Sequence, residues 1–418
     1  MKNIHISVCF SLLIALSACL ENTVSTDFNN PGMIHDTLSV SSVTAFHYQA
    51  PPEIGNSTLL YLGADSNGFD NPFAIFKVQE NSINTIGTFA SLSDSTVKID
   101  SAKFILTFNS DTVDIGMIFD LYYFPNSLDS IFSESKSNYL NINESDLASE
   151  YVSSARLFQK PPDSSEIIYP TLSFNVLHII ESFIDSSSLS FNRTLMVKPK
   201  FDLSNTLSFK SSESGFAFAP QLHLFSHDTV YIDSTSDSVA VDTISHEFIC
   251  TQDLSIIVPP VVDNNPGLLT LGRGLSYKGL IEIPDLDSLL SPLPEQLIIT
   301  KAELSFYYPF DTTQSNFYLQ VQPVSDSLHY EQLNGVLLDD PIDVIPNILP
   351  VVNISNNGKV VLNIREYLQL IHFGYVSNYG LKLEVVNTSN PFNLYSIFSH
   401  SSLIDSLNPE LFIHYVSP

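Results

Sequence analysis

Apolar and polar residues alternate along most of this chain with the period of two that a half-buried strand requires. Ala102, Phe104, Leu106 and Phe108 share one face of such a run. About 200 residues later, Ala302, Leu304, Phe306 and Tyr308 repeat the pattern. The strand after it sets Phe119, Leu121 and Tyr123 on one side, matched by Phe317, Leu319 and Val321. Agreement between two copies identifies these as the core faces. Helical periodicity is confined to residues 176–184 and 364–373. Each stretch follows a strand, and Asn175 or Asn363 stands ready to cap it.

Other segments recur in the same order. Asp36-Thr37-Leu38-Ser39 returns as Asp242-Thr243-Ile244-Ser245, and Pro51-Pro52 returns as Pro259-Pro260. LLYLG at 59–63 matches LLTLG at 268–272, and PQLHLF at 220–225 matches PELFIH at 409–414. FNVLHIIESFI at 174–184 matches LNIREYLQLIH at 362–372. This internal duplication predicts two units, 36–241 and 242–418, with 228–241 as a hairpin or extended connector. Short strands separated by Gly, Pro, Asn and Ser turns predict an all-β protein. The expected architecture is two tandem β-sandwich domains in jelly-roll order, each with about one short helix.

The order of elements carries a resemblance. A Leu-x-Leu-Gly strand is followed by an apolar strand, AIFKV or KGLIEI, and then by the strands led by Ile99 and Ile299. A strand plus short helix, a late apolar strand (TLMVKP, LKLEVV), a Ser-rich turn (FKSSES, IFSHSS) and a terminal Pro-x-Leu strand close each unit. This succession resembles the DNRLRE-type jelly-roll domains of bacterial surface and secreted proteins, which are similar to carbohydrate-binding modules. The resemblance implies a jelly-roll fold and polysaccharide as the ligand class. The hexapeptide that names those domains is absent. So is the Trp they often carry after the short helix; Phe183 and His372 lie near that point, and the chain has no Trp.

Residues 1–19 read MKNIHISVCFSLLIALSAC. Lys2 begins a short apolar run that ends in Leu16-Ser17-Ala18-Cys19, which resembles the lipobox of bacterial lipoproteins. The expectation is a signal peptide over 1–18, lipid (palmitate among its acyl chains) on Cys19, and a polar tether over 19–35. Leu20 rather than Asp after the Cys resembles lipoproteins sorted to the outer membrane. Cys9 leaves with the leader, so Cys250 is the one thiol expected in the mature chain, as a buried small hydrophobe. No later stretch reaches the length of a membrane-spanning helix.

Composition narrows the function. Asp plus Glu is 45 against 17 for Lys plus Arg, a net charge of −28, so the cations that hold a nucleic-acid backbone are lacking. No nucleophile elbow, zinc helix, paired Cys or phosphate loop occurs. Asp65, Asn67, Asp70 and Asn71, with Gly68 for a sharp turn, offer oxygen ligands suited to calcium. Alternation turns Tyr122 and Phe124 outward in the first copy and Tyr307 and Tyr318 in the second, where rings could stack on sugars. Tyr307 and Tyr318 are expected on one outer face. The expected protein is a non-catalytic cell-surface lipoprotein that binds polysaccharide. The alternatives are a structural or assembly protein contacting envelope partners, and a glycoside hydrolase using an Asp/Glu pair. Cys19→Ala is expected to abolish labelled-palmitate incorporation and to move the protein out of the detergent phase. Unchanged labelling would refute lipidation at Cys19.

Overall fold

The computed structural model describes residues 33–418 except 53, 55–56, 86, 95, 111–115, 126–132, 159–168, 185–192, 232–238, 262–266, 310–316, 327–338, 355–357, 387–389 and 400–406. The leader, Cys19 and nearly all of the tether lie outside the described residues. The fold is all-β, with every strand pairing antiparallel. Among the described residues no helix is long and apolar enough to cross a membrane.

The chain opens with β1 (Ile34–Val40) and β2 (Thr44–Gln49). The first repeat continues through β3 (Leu59–Ala64), β4 (Asp70–Val78), β5 (Val97–Thr107), β6 (Ile118–Tyr123) and β7 (Glu150–Arg156). It ends with β8 (Thr171–Asn175), β9 (Thr194–Pro199), β10 (Leu207–Lys210) and β11 (Gln221–Tyr231). β12 (Val239–Val258) is 20 residues long and leads into the second repeat. There β13 (Leu268–Leu271), β14 (Tyr277–Glu282), β15 (Ile298–Tyr307), β16 (Phe317–Pro323) and β17 (Val352–Ile354) are followed by β18 (Lys359–Asn363), β19 (Leu381–Val386), β20 (Tyr395–Phe398) and β21 (Glu410–Ser417).

The duplication is visible in the pairing. The order β7-β6-β9-β4 of the first repeat is matched by β17-β16-β19-β14, and β11-β5-β8 is matched by β21-β15-β18. The small pair β3-β10 is matched by β13-β20. Both copies also begin their helix alike. Val176 donates its N–H to the Ala102 carbonyl at 3.0 Å, and Ile364 to that of Ala302 at 3.0 Å. Asn175 Oδ1 accepts from Leu177 N at 3.1 Å and Asn363 Oδ1 from Arg365 N at 3.1 Å. The expected caps are displaced by one residue: Val176 and Ile364 occupy the N-cap positions, where an apolar side chain makes no cap bond, and each Asn precedes the cap and closes a turn onto the N–H two residues ahead. A short helical turn before β5 and before its match β15 was not expected: Phe89–Ser93 and Leu286–Leu290.

The boundary expected at 241/242 is displaced. β1 pairs with β21, Leu38 opposite Ile413, and β2 pairs with β14, Phe46 opposite Leu280. The first two strands of the chain thus complete the sheets of the second repeat. In exchange, β12 completes those of the first. Its first half pairs with β11, and from Cys250 onward it pairs with β4, so one strand passes from one sheet to the other. β1 and β2 are the same strand broken at residues 41–43. The stretch around 228–241 is a hairpin, with Tyr231 opposite Val239. The physical reason lies in the linkers. Pro51-Pro52 and Pro259-Pro260 stand where the chain crosses between the sandwiches. Consecutive prolines hold an extended path and disfavour the tight return a strand would need to pair within its own copy.

Two separate cores follow. Ala102, Phe104, Leu106, Phe119, Leu121 and Tyr123 are buried together, with Phe248 and Cys250 of β12 closing them. Ala302, Leu304, Phe306, Phe317, Leu319 and Val321 form the other, closed by Val40, Val43 and Ala45. Every face assigned from alternation points inward. The repeated Leu-x-Leu-Gly glycine is also explained. A Cβ on Gly63 (φ +96°) would lie 2.5 Å from the Asn205 carbonyl oxygen, and one on Gly272 would lie 3.0 Å from that of Asn393. A fragment spanning 54–260 is expected to melt cooperatively by itself. A fragment spanning 36–241 lacks 242–258, leaves the edges of β4 and β11 bare, and is expected to be unfolded. Equal cooperativity of the two fragments in thermal circular dichroism would refute the exchange.

Candidate functional site

The helix Arg365–His372 lies on the core through Tyr367, Leu368 and Ile371. Gln369 pins it to the start of β15, accepting from Ile299 N at 2.7 Å and donating to the Leu297 carbonyl at 3.3 Å. The helix ends in a left-handed glycine, Gly374 (φ +71°). Gly374 N bonds to the Ile371 carbonyl and Tyr375 N to that of Leu370, each at 2.9 Å. This closure turns the chain sharply and sets Phe373 and Tyr375 on the surface, 49% and 76% exposed. Their ring centroids are 6.2 Å apart at 73°.

The two rings form a ridge between two clefts. One, of about 690 Å³, is lined by Asp287, Leu293, Glu295 and His372. The other, of about 580 Å³, is lined by Ile298, Arg365, Glu366 and Gln369. Phe373 and Tyr375 line both. His372 Nε2 lies 3.1 Å from the Pro294 carbonyl, which fixes the imidazole against the wall. Flat apolar faces beside carboxylate acceptors and a guanidinium donor suit a ligand with both C–H faces and hydroxyls. In the first copy Phe183, which matches the buried Ile371, is likewise buried, 5.9 Å from Phe89 and 5.5 Å from Tyr123, and the residues that follow the helix lie outside the described ones. Phe373 and Tyr375 escaped the sequence reading, although an aromatic-Gly-aromatic triplet directly after a helical pattern was the available signal.

The aromatic residues expected to bind ligand are placed otherwise. Phe124 does face away from the main core, but it is 1% exposed, inside a second apolar layer with Phe73, Ile142, Met196 and Leu254. Residues from the β6–β7 connection cover it. Alternation tells which side a ring takes, not whether that side is roofed. Tyr122 is half-buried beneath Lys198, whose Nζ lies 4.6 Å from the ring centroid. Tyr318 is 39% exposed on β16, whereas Tyr307 is half-buried on β15 with Lys359 above its ring. β15 and β16 belong to different sheets of the sandwich, so the expected shared platform does not exist.

The loop expected to hold calcium is the β3–β4 hairpin. Asp65 Oδ1 accepts from Asn67 N at 2.8 Å, and Asn71 donates to the Gly63 carbonyl at 2.6 Å. Asn67 Nδ2 reaches the Phe392 carbonyl in the second sandwich at 2.9 Å, while Asp70 is exposed. These groups build the turn and its contact across the two sandwiches. Phe69 and Tyr61 pack on Phe392 beside it, with centroids 5.4 and 4.9 Å away.

Buried charge occurs on the outer face of the β17-β16-β19-β14-β2 sheet. Lys278 Nζ is 2.9 Å from Asp340 and 2.5 Å from Glu384, and Lys382 Nζ is 2.7 Å from Asp340. The Tyr48 hydroxyl donates to Asp340 at 3.2 Å. Burial alone would raise the Asp340 carboxyl, but the Lys278 and Lys382 ammonium groups outweigh it and hold the carboxyl below its ordinary value. Two cations and two anions thus neutralise one another, and the cluster is a fastening for the strands beneath it.

No family model matches the sequence, and no curated protein matches it. Among solved structures, the Faustovirus major capsid protein aligns over 92% of this chain and 89% of its own, at 7% identity and a TM-score of 0.08. A score that low carries no argument about fold or function.

Asp340→Ala strands Lys278 and Lys382 with one carboxylate and is expected to cost about 3–5 kcal/mol in chemical denaturation. The folded carboxyl titrates below its unfolded value of 3.8, so its stabilisation is present above that pH and is lost as pH falls through the folded value. A variant as stable as the parent at pH 7 would show the cluster to be dispensable.

Proposed function

We propose that this chain is a non-catalytic, lipid-anchored outer-membrane protein of two jelly-roll domains, and that the second binds polysaccharide across the Phe373–Tyr375 ridge. The observation that carries the reading is the pair of exposed rings standing between two clefts with carboxylates on both sides. Sugar rings present C–H faces that stack on aromatic rings, and their hydroxyls donate to carboxylates such as Asp287, Glu295 and Glu366. Two clefts that share the same pair of rings offer adjoining positions for successive sugar units. The tether would enter at β1, which belongs to the second sandwich, so the binding domain is also the anchored one.

A second reading, an assembly protein presenting surfaces to other envelope proteins, draws on the direct apolar contact between the sandwiches at Tyr61, Phe69 and Phe392. That contact joins the sandwiches as a spacer would need.

Phe373→Ala and Tyr375→Ala are each expected to weaken retention in affinity electrophoresis by about fivefold, or about 1 kcal/mol. Both rings lie outside the core, so the melting temperature should hold. Tyr318→Ala serves as a surface control that should change neither. If the parent protein is retarded by no polysaccharide in a panel of neutral and acidic glycans, the sugar reading fails and the assembly reading takes its place.

A further inference from the structure

Three carboxylates converge in the first sandwich, away from the hairpin at 65–71. Glu134 lies in a turn within the β6–β7 connection, where Ser137 N bonds back to the Ser133 carbonyl at 2.7 Å. Glu213 lies in the helical turn Ser212–Ser214 after β10, and Asp253 lies on β12 opposite Phe76 of β4. One oxygen from each lies within 4.8 Å of the other two. Asp253 is fully buried. Its Oδ2 accepts from Ser212 N at 2.7 Å, while its Oδ1 is buried with no hydrogen-bond partner. Glu134 Oε1 is a second buried oxygen with no hydrogen-bond partner.

An unpartnered carboxylate oxygen in a native interior costs its full desolvation and calls for a compensating group. Among the described residues no Lys, Arg or His forms an ion pair with any of the three. Burial, and then the Glu213 charge, push Glu134 up to about 8; burial first, with Glu213 adding, takes Asp253 to about 7. A chain with so few cations brings three acids together at one point, two of them with an oxygen bare. The donors are all oxygens, which selects a hard cation. Calcium takes oxygen ligands at about 2.3–2.6 Å in flexible geometry, whereas magnesium at about 2.1 Å demands a near-ideal octahedron, which three carboxylates from separate segments are less suited to supply.

We infer that Glu134, Glu213 and Asp253 form a calcium site that fastens the exchanged strand β12 to the first sandwich. The ion would tie together three segments distant in sequence: the cover over the outer sheet face, the turn after β10, and the strand borrowed from the second repeat. It is independent of the sugar reading, because the site and the ridge lie in different sandwiches.

The test is calcium titration of the purified, chelator-stripped protein at pH 7.5, by calorimetry and by thermal melting, with magnesium in parallel. One calcium should bind per chain with a dissociation constant in the submillimolar range of extracellular modules, and the melting temperature should rise by several degrees. Magnesium should shift it less. Asp253→Asn and Glu134→Gln should each weaken calcium binding by about tenfold or more. Asp65→Asn, in the hairpin, should leave it unchanged. Should Asp253→Asn fail to fold, Glu134→Gln at the less buried position decides the matter. The inference is overturned by no heat and no shift at millimolar calcium, by equal shifts in parent and variants, or by loss of binding in Asp65→Asn alone.

Discussion

β12 runs for 20 residues along both sheets of the first sandwich, and its pairing with β11 over the first half and with β4 over the second is the constraint on which the other elements depend. A strand that covers one edge of each sheet satisfies N–H and C=O groups on two neighbours, so its loss would leave the backbone groups of both unpaired at once. In this chain that strand comes from the next repeat. The matching edges in the second sandwich are covered reciprocally by β1 and β2, which brings Ile34 opposite Ser417 and so draws the described ends of the chain together. Neither repeat closes with its own leading strand. The consecutive prolines at both crossings and the apolar contact of Tyr61 and Phe69 with Phe392 follow from having two chain passages side by side.

Against this shared frame the copies diverge where the frame leaves freedom. The helix start is the same in both, down to the bond from Val176 to Ala102 and from Ile364 to Ala302. The helix body is alike too, with Phe183 and its match Ile371 both buried; at the exit of the second helix Gly374 turns the chain so that Phe373 and Tyr375 stand in solvent. The outer face of the corresponding sheet is roofed in both copies. The first roof covers the apolar Phe73, Phe124 and Met196; the second covers Leu280, Val324 and Ile342 and, beside them, Lys278 and Lys382 with Asp340 as lid. Duplication preserved the hydrogen-bonded skeleton, and the faces that do not close a core became free to specialise.

Buried acids show how far neighbours control the same functional group. Asp340 meets two ammonium groups and a tyrosine hydroxyl, and its carboxyl is held low. Asp253, more deeply enclosed, meets one backbone N–H and two other acids, and its carboxyl is pushed up to about 7. In a chain with 17 Lys and Arg against 45 Asp and Glu, cations are scarce, and two of them are committed to Asp340. Among the described residues the acids around Asp253 have none.

The sequence alone determined the local order of this protein. Period-two alternation, confirmed by a second copy, assigned Phe104 and Phe306, Leu121 and Leu319 to the core, because side-chain direction in a strand is a local property. The two asparagines marked the helix starts to within one residue, because each closes a local turn onto the N–H two residues ahead, although the cap positions fall to Val176 and Ile364. Pairing across the repeat was beyond it. Residues 36–39 and 242–245 read alike because they fit equivalent edges, and nothing local says which copy supplies the edge. Only the tertiary structure decided that they trade places, through linkers too stiff to fold back. It also decided that Phe124 is roofed while Tyr375 is not, that Tyr307 and Tyr318 sit on opposite sheets, and that Glu134, Glu213 and Asp253, far apart in the chain, share one small volume. Those are properties of what covers a surface and what meets across it, and they belong to contacts between segments rather than to any segment itself.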